Sequence, residues 1–339
     1  MYKNGIVQTK EAGDMLSGPA YIERGGNLVA YQPFMQEQTH MRCFFLKGDR
    51  AKLQELCDQV FNRPSNGTLN FQPLGSTVLL SFAQIESIYS IHEDSPHPGS
   101  MSEIDVAFWV PMISQRDDGL HLSWYVAYIF VDNPLAMATG REVYGFPKTI
   151  AQFQIPAEID SGQSYWVETA ALKRFQPPER MTTERIFEVV PRQNGKARAF
   201  QTLEDMRHFL PMMMGEDKGL KTQMSLGWHH FQNMVSSRKS DVLFLRQLRD
   251  IQNPAVAAYQ EVLEAPARVT DFHRGGWLPG SYEVNFQSND TFPVAEELGL
   301  EMHGHPVQAA FWAEFDFVMD LGKTLWQTAG GIRDANFQE

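Results

Sequence analysis

Lys148 has sequence surroundings that suit an amine nucleophile. It follows Gly145, which is typical of a helix C-terminus, and Pro147, which blocks helix continuation, so it begins an extended segment directly after a stiff turn. Its neighbours Tyr144 and Phe146 are largely apolar. A lysine attacks a carbonyl only when neutral, and burial can lower a lysine pKa by several units. Lys148 is therefore a candidate for Schiff-base chemistry, although most turn lysines point into water.

The segment before Lys148 predicts a short helix that packs closely on a sheet. A strand pattern over Leu122–Val131 is followed by Asp132 and Asn133, which are good helix N-caps, and by Pro134, which favours the first turn. The helix predicted over Leu135–Val143 carries small residues at Ala136, Ala138 and Gly140. Small residues let the helix backbone approach the strands, so the sequence places Lys148 at the end of a tightly packed unit.

The run from Asp132 to Lys148, DNPLAMATGREVYGFPK, resembles the segment of acetoacetate decarboxylases that ends in the Schiff-base lysine. The elements Asp-Asn, Ala-x-Ala-x-Gly-Arg-Glu and Pro-Lys follow in the same order without a gap. A looser resemblance continues through Phe244-Leu-Arg-Gln and Tyr259-Gln-Glu-Val-Leu-Glu-Ala. The resemblance implies one domain over residues 1–339. It also implies an imine between Lys148 and a small keto acid, with no metal or organic cofactor.

The resemblance also suggests which residues surround the lysine. Glu103 looks like the counterpart of a strand glutamate near the substrate, and Asp105 has the same strand parity and is an alternative. The decarboxylases bind the substrate carboxylate through an arginine near their first strand. Arg42 fills that role here only with a shifted register, and Ser81 or Gln84 stands where a further glutamate is expected.

The lysine turn itself supplies further candidates. The decarboxylases have a second lysine after the catalytic one, where this chain has Thr149, but successive strand residues point to opposite faces. Arg141 and Glu142 belong to the resemblance, and we interpret Arg141 as an anchor of the turn rather than a substrate contact. Tyr144 and Phe146 are expected to contact the substrate, with Tyr144 as a possible proton shuttle.

The composition excludes several classes of partner. The chain has 339 residues, of which 43% are hydrophobic, and 41 acidic residues stand against 29 basic ones, giving a net charge of -12. This balance argues against nucleic acid or an anionic membrane as the main partner. Two cysteines, no signal-peptide pattern and no apolar run long enough for a bilayer predict a cytoplasmic protein. We expect a homo-oligomer with a small-molecule keto acid substrate.

Many strand patterns with few helices predict an α+β fold, with a mostly antiparallel, barrel-like sheet and packed helices. A helix is expected after Asp49. Residues 177–239 read as a largely helical insertion, with Met212-Met213-Met214 inside it. Its His229-His230 pair and the pair His303 and His305 do not have recognised metal-ligand spacing. The segment His92 to His97 offers metal-ligand residue types, but its proline and polar residues indicate a surface loop, so no metal site is predicted.

Three functions fit these observations. The first is decarboxylation of a β-keto acid through a Lys148 imine, in which the carboxylate leaves as carbon dioxide and the enamine is protonated. The second uses the same lysine for aldolase, dehydratase or hydratase chemistry on an α-keto acid such as pyruvate. The third is a non-catalytic binding protein on the same scaffold. We place decarboxylation marginally first because the segment Gly140 to Lys148 is so similar to that of the decarboxylases.

Overall fold

The computed structural model describes residues 21–25, 29–96, 99–159, 161–193, 198–200 and 239–328. Strands dominate this part of the chain. They are β1 (Phe34–Lys47), β2 (Phe71–Pro73), β3 (Thr77–Ser90), β4 (Met101–Arg116), β5 (Gly119–Val131), β6 (Lys148–Ile150), β7 (Gln152–Gln154), β8 (Tyr165–Ala171), β9 (Thr182–Gln193), β10 (Arg198–Phe200), β11 (Lys239–Arg249), β12 (Ala257–Trp277), β13 (Ser281–Phe286), β14 (His305–Met319) and β15 (Lys323–Gln327).

Three short α-helices accompany the strands in the described residues. They are α1 (Arg50–Cys57), α2 (Pro134–Thr139) and α3 (Val294–Leu298), and the first two continue into single π-helical turns at Asp58–Asn62 and Gly140–Tyr144. The predicted caps are confirmed, since Asp49 accepts from the first turn of α1 and Asn133 from that of α2. Within the described part, no helix is long and apolar enough to cross a membrane.

The strands pair in the order β10-β12-β11-β5-β4-β3-β1-β14-β13-β9-β8-β7. An additional pairing of β12 with β14 means that seven strands, β12, β11, β5, β4, β3, β1 and β14, follow one another in a cycle. We call this cycle the seven-strand ring. A second layer starts where the beginning of β14 pairs with β13, and it continues through β9, β8 and β7.

Two predictions about the fold need refinement. Most strand pairings are antiparallel, as predicted, but the sheet is mixed, because β6 and β11 each pair with β5 in parallel. The short crossover 132–147 carries β6 back alongside β5. The predicted helical insertion is wrong for Thr182–Gln193, which is strand β9 and pairs with both β8 and β13. The residues 201–238, including Met212-Met213-Met214, lie outside the described residues.

Each face of the ring packs against its own apolar cluster. On one face, buried aromatic side chains join the ring to the second layer: Phe44, Phe82, Phe108, Tyr165 and Phe187. On the other face most of the buried residues come from β3, β4, β5, β11 and β12, and many of them are smaller, including Ala83, Ala107, Ile129, Val242 and Ala265. Burying one large apolar side chain contributes about 1.5–3 kcal/mol. The aromatic cluster therefore fixes the scaffold, and the small-residue face leaves room for polar side chains.

Candidate active site

Lys148 and Glu103 form a buried ion pair. The Nζ atom of Lys148 lies 2.6 Å from Oε1 of Glu103. Lys148 is 8% exposed and Glu103 4% exposed, so both charged groups have left water. Moving charges out of water costs several kcal/mol per ion, which the pairing must offset. The structure therefore brings together the two residues that the sequence singled out first.

The backbone turn around Gly145 positions Lys148 next to Glu103. Gly145 has φ of 90°, and its amide and that of Phe146 both donate to the carbonyl of Gly140. A Cβ atom at Gly145 would lie 2.7 Å from Cα of Arg246 on β11, so the position requires glycine for both conformation and space. The amide of Lys148 then donates to the carbonyl of Phe146 at 2.8 Å, and β6 begins.

Gly140 makes room for the lysine side chain. A Cβ atom there would lie 2.7 Å from Cδ and 2.9 Å from Cε of Lys148. The backbone of Gly140 is ordinary right-handed helix, with φ of -63°. This glycine is therefore required for space rather than for conformation. The sequence suggested close packing here, but it did not show that the packing partner is the candidate nucleophile.

Asp132 and Asn133 hold the strand that carries Glu103. The amide of Ile104 donates to Oδ1 of Asp132 at 2.8 Å, and Nδ2 of Asn133 donates to the carbonyl of Ser102 at 2.8 Å. These hydrogen bonds flank Glu103 on both sides in sequence. The sequence predicted both residues only as helix caps. The Asp-Asn pair in the decarboxylase-like segment was the signal that could have revealed this second role.

Asp105 lies on the same strand face as Glu103. It pairs with Ala83 on β3 and Val131 on β5, neither of which can donate a side-chain hydrogen bond. Its Oδ1 atom is buried and has no hydrogen-bond partner in the described residues. Burial, and then the negative charge of Glu103, raise the pKa of Asp105 to about 7, against the opposing effect of Lys148. Both protonation states of this carboxyl are therefore accessible near neutral pH.

The register of the sheet defines the row of residues beside Lys148. Lys148 pairs with Ile129, which pairs with Ala107, then Ser81 and then Cys43. Paired residues share a face of the sheet, so this row forms the floor next to the lysine. The Ser81 hydroxyl accepts from Nε1 of Trp109 at 2.8 Å. Burial raises the pKa of the Cys43 thiol, so it is not a second nucleophile.

Arg42 lies on the opposite face of the sheet. Its row runs from Arg42 through Phe82, Val106 and Phe130 to Thr149. The guanidinium donates to Oε1 of Gln84 at 2.9 Å and to the carbonyl of Pro156 at 3.3 Å. The structure therefore does not bring the expected carboxylate-binding arginine, or Gln84, to the lysine. Thr149 shares that face, so a lysine in its place would also point away from Lys148.

The aromatic residues of the turn have different surroundings. The ring of Phe146 lies 5.4 Å from Nζ of Lys148 and contacts Phe244 edge-on at 4.5 Å. Tyr144 is buried, and its hydroxyl contacts the backbone carbonyls of Met319 and Asp320 at 3.4 and 3.1 Å. Burial raises the pKa of Tyr144, which keeps the phenol neutral. Phe146 therefore borders the amine, whereas the Tyr144 hydroxyl is engaged elsewhere.

Arg141 and Glu142 lie at the exposed side of the turn. Arg141 donates to the carbonyl of Lys148 at 3.1 Å, which ties the start of β6 to the π-helical turn. Glu142 accepts from the hydroxyl of Tyr21 at 2.7 Å, and this hydrogen bond is the main reason that the pKa of Tyr21 is raised to about 12. Neither side chain contacts Glu103.

A second ion pair, between half-buried Arg246 and buried Glu261, supports the lysine turn from β11 and β12. Arg246 donates to the carbonyl of Val143 at 3.0 Å and to Oε2 of Glu261 at 2.5 Å. The hydroxyl of Tyr259 donates to the same carboxylate at 2.8 Å. No role for these residues was predicted from the sequence. Both segments of the looser resemblance contain them, however, and that was the available signal.

The histidines do not form a metal centre in the described residues. No group of three or more His, Cys, Asp or Glu side chains there could hold a metal ion. His305 is buried and accepts from the amide of Glu301 through Nδ1 at 3.0 Å. His229-His230 and His97 lie outside the described residues.

The fold has solved counterparts. One is acetoacetate decarboxylase from Legionella pneumophila subsp. pneumophila str. Philadelphia 1, with a TM-score of 0.55 and 12% identity over 92% of this chain and 93% of that chain. Another is an acetoacetate decarboxylase-like enzyme from Sphingomonas wittichii RW1, with a TM-score of 0.51 and 12% identity over 87% and 94%. A third is the enduracididine biosynthesis enzyme MppR, with a TM-score of 0.50 and 10% identity over 92% and 98%.

These likenesses define the class of fold. The chain has the acetoacetate decarboxylase-like fold over about nine-tenths of its length. The resemblance predicted from the segment Asp132 to Lys148 is thereby confirmed at the level of the fold. The sequence matches no protein-family model and no curated protein sequence.

Proposed function

We propose that this chain is a cofactor-independent Schiff-base enzyme that acts on a small keto acid, with Lys148 as the nucleophile. The observation that carries the proposal is the buried contact of 2.6 Å between Nζ of Lys148 and Oε1 of Glu103. A lysine placed only to stabilise the fold would gain more from lying in water, because buried ion pairs contribute little net stability. A buried amine next to a carboxylate is suited to proton transfer.

In the proposed mechanism, Glu103 accepts a proton from the Lys148 ammonium. The neutral amine attacks the ketone carbon of the substrate, and the carbinolamine then loses water, with Glu103 returning the proton to the departing hydroxyl. The product is a protonated imine, which withdraws electrons from the bond to the neighbouring carbon. Phe146, 5.4 Å from the amine, borders the cation through its ring face.

Decarboxylation of a β-keto acid remains our first choice for the next step. Loss of carbon dioxide requires a carboxylate that is not held in a tight ion pair, since such a pair stabilises the ground state. Arg42, the arginine expected to grip the carboxylate, points to the other face of the sheet. The bond between the carboxyl carbon and the α-carbon breaks, its electrons form the enamine, and protonation of that carbon completes the reaction.

Aldol condensation and dehydration on an α-keto acid is the second candidate. That chemistry needs a group that gives a proton to a leaving hydroxyl. Asp105, whose pKa burial raises to about 7, supplies a carboxyl that is partly protonated at neutral pH. We propose the same lysine and the same barrel-like sheet, formed by the seven-strand ring, for both reactions.

Borohydride trapping tests the proposal. Protein incubated with acetoacetate or pyruvate and then reduced should carry the ligand mass on Lys148, as located by peptide mass spectrometry. Lys148→Arg removes the primary amine but keeps the charge, and it should abolish the label. Lys173→Arg is the matched control, because the Lys173 side chain is 59% exposed and should leave labelling unchanged. Label found only on other lysines, or absent with both acids, contradicts the proposal.

Product analysis separates the two reactions and the non-catalytic alternative. Carbon dioxide release from acetoacetate supports decarboxylation. Ultraviolet absorption of a conjugated product from pyruvate plus an aldehyde supports aldol and dehydration chemistry. Trapping on Lys148 without either product supports a binding protein on this scaffold.

A further inference from the structure

Asp105 lies on the lysine face with one carboxyl oxygen buried, and the proposed imine-forming steps leave it unused. Glu103 and Asp105 are two residues apart on β4 and therefore point to the same side. In cross-strand register, Lys148 lies level with Ala107, yet its Nζ atom reaches Glu103. Asp105 lies between these two positions on β4. The lysine side chain therefore extends past the register position of Asp105 towards Glu103, and its charge acts on the Asp105 carboxyl.

We propose that Asp105 moves the proton to and from the carbon atom next to the imine carbon. This inference rests on the proposed function, because it needs a substrate imine on Lys148. It assigns separate tasks to the two carboxyls of β4. Glu103, whose Oε1 atom lies 2.6 Å from Nζ, transfers protons during imine formation at the nitrogen. Asp105 transfers protons at the neighbouring carbon.

The hydrogen bonding of Asp105 supports this assignment. A buried carboxyl oxygen in a folded protein normally has a partner, and leaving one without costs about 1–3 kcal/mol. Oδ1 of Asp105 is buried without a partner in the described residues, and its cross-strand neighbours Ala83 and Val131 are apolar. An acidic group kept in such surroundings lowers stability, so a role in the chemistry accounts better for its presence than a role in the fold.

The charged groups around Asp105 set its protonation. Glu103 lies on its own strand, Lys148 on β6, Asp132 directly after β5 and Cys43 on β1. On β3 its partner is Ala83, which does not titrate. Burial and the charge of Glu103 dominate and raise the pKa of Asp105 to about 7. A group that must both accept and donate a proton works best when its pKa lies near the working pH.

The proposed step is a reversible proton transfer between the Asp105 carboxyl and the carbon atom next to the imine carbon. In one direction, the Asp105 carboxylate takes a proton from the α-carbon of the imine. The electrons of that carbon–hydrogen bond form the carbon–carbon double bond of the enamine, and the imine π electrons return to nitrogen. In the other direction, the enamine carbon takes the proton from the Asp105 carboxyl and the imine is restored. Both candidate reactions pass through the enamine, so both need this step.

Hydrogen exchange tests the inference with defined probes. In deuterated water, wild-type protein should exchange the methyl hydrogens of pyruvate or acetone, followed by loss of the methyl proton signal in NMR spectra. Asp105→Asn should slow the exchange by about a hundredfold or more, while borohydride trapping on Lys148 persists. Asp105→Glu should recover part of the rate. Asp117→Asn, an exposed aspartate at the end of the β4–β5 hairpin, is the matched control and should exchange at the wild-type rate.

The pH dependence of the wild-type protein gives an independent reading that needs no variant to fold. Because Asp105 must be ionised to take the proton, exchange should rise as pH increases through about 7. Exchange that Asp105→Asn leaves unchanged overturns the inference, as does a wild-type rate without an inflection near that pH. Loss of trapping in a folded Asp105→Asn protein would show that Asp105 is needed for imine formation, and it overturns the assignment of Asp105 to proton transfer at carbon alone. If wild-type protein itself traps neither probe, the proposed function fails instead.

Discussion

Lys148 lies against the backbone of Gly140, so close that a single methyl group at Gly140 would meet its Cδ and Cε atoms at 2.7 and 2.9 Å. Real Cβ contacts almost never fall below about 3 Å, and the buried lysine side chain has little space in which to move. The helical segment before the turn therefore does more than lead into β6, because it fixes the path of the candidate nucleophile.

Gly140→Ala should disable the site while leaving the fold intact. The backbone at Gly140 is helical, where alanine is intrinsically better than glycine, so the only strain is the contact with Lys148. We expect a loss of trapping of about tenfold or more, on the scale that misplacement by 1 Å produces, with a near-native circular dichroism spectrum. Gly25→Ala is the control, since a Cβ atom there has no neighbour within 4 Å. Equal trapping by both variants would show that the lysine can move aside.

Glu103→Gln should slow imine formation itself. The amide keeps the shape of the carboxylate but cannot take the proton from Lys148, so a loss of about a hundredfold in the trapping rate is expected. Quenched-flow borohydride trapping followed by mass spectrometry measures this rate. Glu86→Gln is the control, because the Glu86 side chain is 62% exposed on the neighbouring strand β3. Unchanged trapping in Glu103→Gln would mean that another group accepts the proton.

Asn133→Ala should affect both stability and the site. It removes the N-cap of α2 and the hydrogen bond to Ser102 beside Glu103. Loss of the cap costs about 1 kcal/mol. Asp49→Ala removes the equivalent cap of α1, which has no contact with the lysine turn, so its stability loss should be similar without slower trapping. If the two variants trap equally fast at matched temperature, Asn133 acts only as a helix cap and its hydrogen bond to Ser102 does not affect the site.

The stability of Asp105→Asn relative to wild type should depend on pH. The pKa of Asp105 is raised in the folded protein to about 7, above the unfolded value of about 3.9. Folding therefore favours the protonated form, and wild-type stability falls as pH rises from about 4 to 7. The Asp105→Asn protein has no such loss. Its free energy of unfolding relative to wild type should therefore rise across this window by an amount on the order of 1 kcal/mol or more. Urea unfolding at several pH values measures this, and a constant difference would contradict it.

Glu264→Gln should destabilise the protein most at neutral pH. Burial alone would raise the pKa of Glu264, but hydrogen bonds and charges from Arg116 and Lys323 lower it to about 2. The stabilisation is present above the unfolded pKa of about 4.3 and is lost as pH falls towards 2. We expect a loss of about 3–5 kcal/mol at pH 7, shrinking in acid. Glu55→Gln, from the exposed pair with Arg63, should show a much smaller loss in the same unfolding experiment.

Local features of the fold could be predicted from the sequence because they depend on neighbouring residues. The caps at Asp49 and Asn133 and the stop at Gly145 satisfy backbone groups within a few residues. The strand pattern over Leu122–Val131, which is part of β5, depends only on residues within that segment. The segment Thr182–Gln193 was misjudged because its mixed charges hide a strand whose burial depends on β8 and β13.

In the candidate site, too, features that depend on nearby residues could be predicted, and features that depend on strand pairing could not. Lys148 and Glu103 could be identified from a contiguous motif and a strand position. The placement of Arg42 could not, because it depends on the register between β1 and β3, and a shift of one residue moves a side chain to the other face. The environment of Asp105 depends on Ala83 and Val131, which come from two other strands.

The pairing of β1 with β14 has a consequence for synthesis of the protein. The amide of Gln38 donates to Asp316 although 278 residues separate them. Contacts between such distant residues form late, since the intervening chain must first be made and ordered. Until β14 joins β1 and β12, the seven-strand ring that holds the lysine face is not closed. We therefore expect the contact between Lys148 and Glu103, on which the proposed function rests, to be fully enclosed only when the last strands of the ring are in place.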